Sequence, residues 1–203
     1  MKPVIIFDFG GVLLDWNPRH LYRKVFKGDE QAMERFLTEV DFYNWNIYQD
    51  QGRPFAEGIR IACDQHPQYC DLLQIYRDRW IETISGPIHG TVEILRELKQ
   101  SGYRLFGLSN WSDETFYMTR DQFEFLDLFE QIIISGAVGL IKPDPAIFEL
   151  LLEKVGSPAE QCLLIDDSPD NIVAAHRLGF QTVHFESPAQ LRRVLVDVGV
   201  LNA

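Results

Sequence analysis

The chain has 203 residues, 46% hydrophobic and 24% charged, a length that suits one large domain or a core with a modest insertion. A formal net charge of −11 argues against nucleic-acid and anionic-membrane partners, so a bound phosphate would need a local positive site. No apolar stretch approaches the ~20 residues of a membrane span, Asp8 interrupts the N-terminal apolar run too soon for a signal peptide, and Cys63, Cys70 and Cys162 lack metal-ligand spacing; a cytoplasmic protein with reduced thiols is expected.

The first predicted strand, Val4–Phe7, runs into Asp8 and then Gly10-Gly11. An ionised carboxylate at the end of a buried strand is costly unless charge or hydrogen bonds meet it, so Asp8 requires partners from elsewhere in the chain. The segment from Asp15 to Ser85 shows helical spacing (Leu21 and Val25; Met33, Phe36, Leu37 and Val40), many aromatic residues and no convincing strand. It predicts an all-helical cap, residues 15–86, inserted after the first strand, with 1–14 and 87–203 forming the core. Such a cap lies over the carboxyl ends of the strands, where open α/β sheets bind ligands. Within it, "FYNWNIYQDQGRPF" offers Trp45 and Asn46 to stack on and hydrogen-bond a substrate, against the plainer reading that the aromatics of this stretch form the core of the cap itself. Asp15 and His20, just past Asp8, are placed to supply an acid near it, but read better as solvated residues near a helix start.

Beyond the insertion, helix Thr91–Lys99 leads to strand Leu105–Leu108, which ends in Ser109-Asn110. Strand Ile132–Ile134 follows, and "GLIKPDPAIF" places Lys142 after an apolar run that reads as another strand end. Helix Pro145–Val155, with Ile147, Leu150, Leu151 and Val155 on one side, is closed by Gly156. Strand Cys162–Ile165 then delivers Asp166-Asp167, followed by helix Asp170–Leu178 and strand Thr182–Phe185. Continuous apolar strands alternating with amphipathic helices predict an α/β protein with a doubly wound, Rossmann-like parallel sheet.

In such a sheet Asp8, Ser109-Asn110, Lys142 and Asp166-Asp167 converge on one edge. Three carboxylates repel one another, and one lysine cannot balance them. A divalent cation with oxygen ligands can; Mg²⁺ typically takes one or two carboxylates, waters and a phosphate.

"FDFGGVL", "LSNW", "IKPD" and "LLIDDSPDNIVAAHRLGF" resemble, in order, the four motifs of the haloacid dehalogenase-like hydrolase superfamily, over essentially the whole chain. The resemblance implies a Mg²⁺-dependent phosphatase acting on a small phosphorylated metabolite. By position, Asp8 would be the nucleophile, and Ser109, with Asn110, would hold phosphoryl oxygens. Lys142 would neutralise charge between them. Asp8, the Gly10 carbonyl, Asp167 and Asp166 would hold the metal, and Asn171 would orient the fourth motif.

One position departs from the family pattern. Most of its phosphatases carry an acid two residues after the nucleophile, where this chain has Gly10. The bare glycine fits sugar-1-phosphate phosphatases of the superfamily that lack this acid, because an easy leaving group needs less help from a proton. It also fits a metal-independent 2-haloacid dehalogenase, or a protein of this fold that binds with weak or no turnover.

Overall fold

The computed structural model describes residues 2–202. In chain order, β1 (Val4–Phe7) and β2 (Leu14–Trp16) precede α1 (Pro18–Val25), α2 (Glu30–Glu39), α3 (Phe42–Asp50), α4 (Phe55–Gln65) and α5 (Cys70–Asp78). After β3 (Ile84–Pro87) come α6 (His89–Gln100), β4 (Leu105–Ser109), α7 (Asp113–Thr119), β5 (Gln131–Ile134), α8 (Ser135–Val138) and α9 (Pro145–Val155). The chain finishes with β6 (Cys162–Asp166), α10 (Pro169–Arg177), β7 (Gln181–His184) and α11 (Pro188–Asp197).

Five strands form a parallel sheet in the order β5-β4-β1-β6-β7. Alternate residues of β1 feed separate apolar clusters. Ile5 and Phe7 pack with Val92 and Leu95 of α6 and with Leu191 and Leu195 of α11. Val4 and Ile6 pack with Ile147, Phe148 and Leu151 of α9 and Ala175 of α10. Covering both faces is why the strand reads as an unbroken apolar run. Helix α9 starts where its sequence dictates: Asp144 caps the Ala146 N–H, Pro145 fixes the first turn, and Gly156 closes the helix in a left-handed conformation.

The inserted segment carries the five helices α1 to α5, and its aromatic residues make its own core. Tyr22 meets Phe36 edge-on at 4.8 Å, and Phe42 meets Tyr76 at 4.9 Å. Two features depart from the sequence prediction. The segment is not free of strand: β2 pairs antiparallel with β3, forming a two-stranded stem where the helices join the sheet. Each strand is only three or four residues long, and their partners lie far apart in sequence, so no local alternation marks them. The thiols are not all reduced either. Cys63 and Cys70 form a disulfide with Cα atoms 5.1 Å apart, because a short turn folds the end of α4 back on the start of α5. Cys162 is free and buried. Among the described residues, no helix is long and apolar enough to cross a membrane.

Candidate active site

Parallel strands bring their carboxyl ends to one edge, and that edge holds the polar groups. Asp8 follows β1, Ser109 ends β4 and Asp166 ends β6. Lys142 arrives by another route. It does not follow a strand: β5 ends at Ile134, α8 intervenes, and Lys142 sits in the turn leading to α9. A single side chain fixes that turn. Asn110 Nδ2 donates to the Lys142 carbonyl at 2.9 Å, and the Lys142 N–H donates back to Asn110 Oδ1 at 2.9 Å. The Asn110 amide, expected to hold phosphoryl oxygens, is therefore committed to placing the lysine.

The Lys142 ammonium is buried against three oxygens: the Leu108 carbonyl at 2.9 Å, Asp8 Oδ2 at 3.0 Å and Asp166 Oδ2 at 2.6 Å. These match its three protons. Asp166 is fully buried and also accepts from the Ser168 N–H (2.9 Å) and from Asn171 Nδ2 (3.0 and 3.1 Å). Asp8 Oδ1 accepts from the Phe9 N–H at 2.7 Å.

Charge is unbalanced here. Burial raises the Asp8 carboxyl to about 7 against the pull of Lys142, and Asp166 and Asp167 push it the same way. Burial and the charge of Asp166 likewise raise Asp167. Burial draws the Lys142 ammonium down, but Asp8 and Asp166 outweigh it and hold the group charged. Asp8, Asp166 and Asp167 each offer an oxygen within 4.8 Å of the others, so three acids share one lysine, a donor set that suits a hard divalent cation. Gly11 makes room for this cluster. A Cβ there would sit 2.2 Å from Asp167 Oδ2, and its φ of +76° favours glycine. Gly10 differs, with nothing within 4 Å of an added Cβ.

Two cavities meet above Asp8. One, about 400 Å³, is lined by Asp8, Asp167, Gly10, Ser109, Tyr43 and Asp50, among others. The other, about 70 Å³, runs between Leu14, Trp16, Trp80, Ile84 and Trp111. Gly10, Trp16, Asn46, Asp50, Ser109 and Asn110 line both. Asn46 thus lines both cavities. Trp45 lines neither: its indole packs among Phe42, Phe55 and Tyr76 and donates to the Gly58 carbonyl at 2.9 Å. Helix α3 turns Asn46 towards the core and Trp45 into the helical bundle, and Trp16, Trp80 and Trp111 supply the aromatic walls instead. Asp15 is half-exposed and hydrogen-bonded to His20 and Ser85, outside the residues that line either cavity.

Asp50, at the end of α3, is the residue that sequence reasoning missed. Burial raises its carboxyl to about 7, although the Ser112 amide and Asn46 oppose the shift; Asn46 Nδ2 donates to it at 2.9 Å. Nothing local in "YQDQG" marks Asp50 as a half-buried, cavity-lining residue.

Comparison with known proteins agrees with this geometry. The family model described as haloacid dehalogenase-like hydrolase matches residues 2–179. Drimenol cyclase drtB of Aspergillus calidoustus is 31% identical over 98% of the chain, although the chain spans only 37% of that protein's length. Sesquiterpene phosphatase astK of Aspergillus oryzae is 27% identical over 88% of the chain and 87% of its own length. In structure, the magnesium complex of HAD family enzyme bt-2542 from Bacteroides thetaiotaomicron superposes with a TM-score of 0.72, at 21% identity, over 92% of this chain and 94% of that one. With the match running from the first strand through α10 and the same fold underneath it, the chain belongs to the haloacid dehalogenase-like hydrolase family.

Proposed function

We propose that the protein is a Mg²⁺-dependent phosphomonoester hydrolase that acts on a small phosphorylated metabolite through an aspartyl-phosphate on Asp8. One observation carries this reading: a carboxylate at a cavity floor, ion-paired to a buried lysine, within a cluster of three acids that one lysine leaves under-neutralised. Asp8 attacks phosphorus. Lys142 offsets charge between the carboxylate and the phosphoryl oxygens, and the Ser109 hydroxyl, which lines both cavities, binds one of those oxygens. Asp8, Asp167 and the Gly10 carbonyl would hold Mg²⁺, with Asp166 acting directly or through water; bound there, the ion supplies positive charge for the phosphoryl group. Asn171 and Asn110 are positioning residues, the first for Asp166 and the second for the Lys142 turn. Phosphatase names among the relatives support this reading. The acidic chain suits neither nucleic acid nor an anionic membrane as partner.

Gly10 supplies no acid. With no other group to supply one, the reaction would favour esters with good leaving groups, such as a sugar 1-phosphate. Asn46 and the aromatic walls suit a small hydroxylated ring. Gly10 also favours a second reading, a 2-haloacid dehalogenase, since halide departs without a proton. The cluster of three acids counts against it, because that displacement needs no cation.

With Mg²⁺ present, the protein should release phosphate from p-nitrophenyl phosphate, and EDTA or Asp8→Asn should abolish the release. Chloride release from 2-chloropropionate in EDTA would establish the dehalogenase instead. Silence towards a broad panel of phosphate esters would leave a binding protein.

A further inference from the structure

We propose that Asp50, carried on the helical insertion, is the general acid and base that Gly10 cannot be. This rests on the phosphatase reading above and deepens it. Three observations converge. First, Asp50 is the one charged residue among those lining the small cavity, and it also lines the larger cavity that contains Asp8. A phosphoryl group between Asp8 and Ser109 with its leaving group among the tryptophans would have its bridging oxygen at this seam. Second, the backbone of Asp50 is locked to the core. Ser135 Oγ donates to the Asp50 carbonyl and accepts from the Trp111 N–H, and a Cβ on Gly52 would stand 2.8 Å from the Gly136 carbonyl. A proton donor must be held within reach of the atom it serves. Third, its carboxyl titrates near 7, which lets it both give and take a proton near neutrality. The groups facing it are Asn46 and Tyr43 of α3, the buried Tyr76 hydroxyl of α5, the Ser112 amide, and, across the larger cavity, Asp8 and Asp167. None of these is a cation.

The chemistry balances. As an Asp8 oxygen bonds to phosphorus and the ester P–O bond breaks, the Asp50 proton passes to the departing oxygen. The products are the alcohol, aspartyl-phosphate and an Asp50 carboxylate. That carboxylate then takes a proton from the water whose oxygen attacks phosphorus; phosphate leaves, Asp8 returns as a carboxylate, and Asp50 is protonated again. On this account the enzyme is not confined to easy leaving groups.

The test compares kcat/KM for a sugar 6-phosphate, which needs the proton, and for p-nitrophenyl phosphate, which barely does. Asp50→Asn should lower the first by ~10²–10⁴-fold and the second by less than about ten-fold. Wild type should lose activity on the 6-phosphate above about pH 7, a limb that Asp50→Asn removes and Asp50→Glu restores in part. Equal losses on both substrates, or none, would overturn the assignment. Because Asp8→Asn is measured alongside, the two failures separate. If Asp8→Asn is inactive while Asp50→Asn leaves the substrate ratio unchanged, the phosphatase stands without this acid; if wild type hydrolyses no phosphate ester, both readings fall.

Discussion

Adjacent glycines at positions 10 and 11 should respond in opposite ways to the same change. At Gly11, φ is +76° and an added Cβ overlaps Asp167 Oδ2 at 2.2 Å. The left-handed backbone alone costs ~1–2 kcal/mol for a residue with a side chain, which at ~2–4 °C per kcal/mol for a chain of this size lowers the melting temperature by ~2–8 °C. The overlap acts elsewhere, because Asp167 can swing its carboxylate aside at little cost to the fold but then leaves the acid cluster. Gly11→Ala should therefore also shrink the rise in Tm that Mg²⁺ produces. Gly10 has no positive φ and nothing within 4 Å of an added Cβ, so Gly10→Ala should be neutral or stabilising by ~0.4–1 kcal/mol through the unfolded chain. Thermal unfolding of both variants across a Mg²⁺ titration decides it. If Gly11→Ala melts like Gly10→Ala and keeps the full Mg²⁺ increment, the link between that glycine and the Asp167 carboxylate is wrong.

Lys142→Met strands two buried carboxylates and should destabilise the protein by ~3–5 kcal/mol while abolishing turnover; Lys142→Arg should fail to rescue activity, since the wholly buried site is shaped for an ammonium, and denaturant melts with p-nitrophenyl phosphate assays check both. Gly10→Asp has room for its side chain and should recover at least ten-fold of the 6-phosphate activity lost in Asp50→Asn, measured as kcat/KM in the double variant. Asp50→Asn should stabilise the fold, with a definite pH signature. The native carboxyl titrates near 7 against 3.8 unfolded, so its burial costs nothing below about pH 4, and the cost grows to its full value above pH 7. The gain from the amide should open over that window, with an upper bound of about 4 kcal/mol; a pH-independent gain would contradict it.

The sheet was legible because burial on both faces writes itself as unbroken apolar runs. Val4–Phe7, Leu105–Leu108 and Cys162–Ile165 fall on β1, β4 and β6 for that reason. The polar residues that follow converge because parallel strands must end together. What sequence could not show is non-local. Leu140-Ile141 looks like a strand end, yet Lys142 is placed by an amide on residue 110. The β2–β3 stem joins stretches too short to carry a pattern, and Cys63 meets Cys70 only because a turn reverses the chain. Trp45 and Asn46 are neighbours in sequence with opposite fates, since one residue of helix is a turn of about 100°. Asp50 gave no signal because two of the groups that hold it, the Ser112 amide and the Ser135 hydroxyl, come from distant parts of the chain.

Ser135 grips the Asp50 carbonyl, so the molecule behaves like a two-key lock. One key, Asp8, is cut into the sheet; the other is cut into the insertion and fits only while that grip holds. Swinging the helices outward about the β2–β3 stem would withdraw the second key and leave the nucleophile without its proton partner. Exchanging the insertion for another would therefore change the catalytic equipment as well as the shape of the substrate admitted.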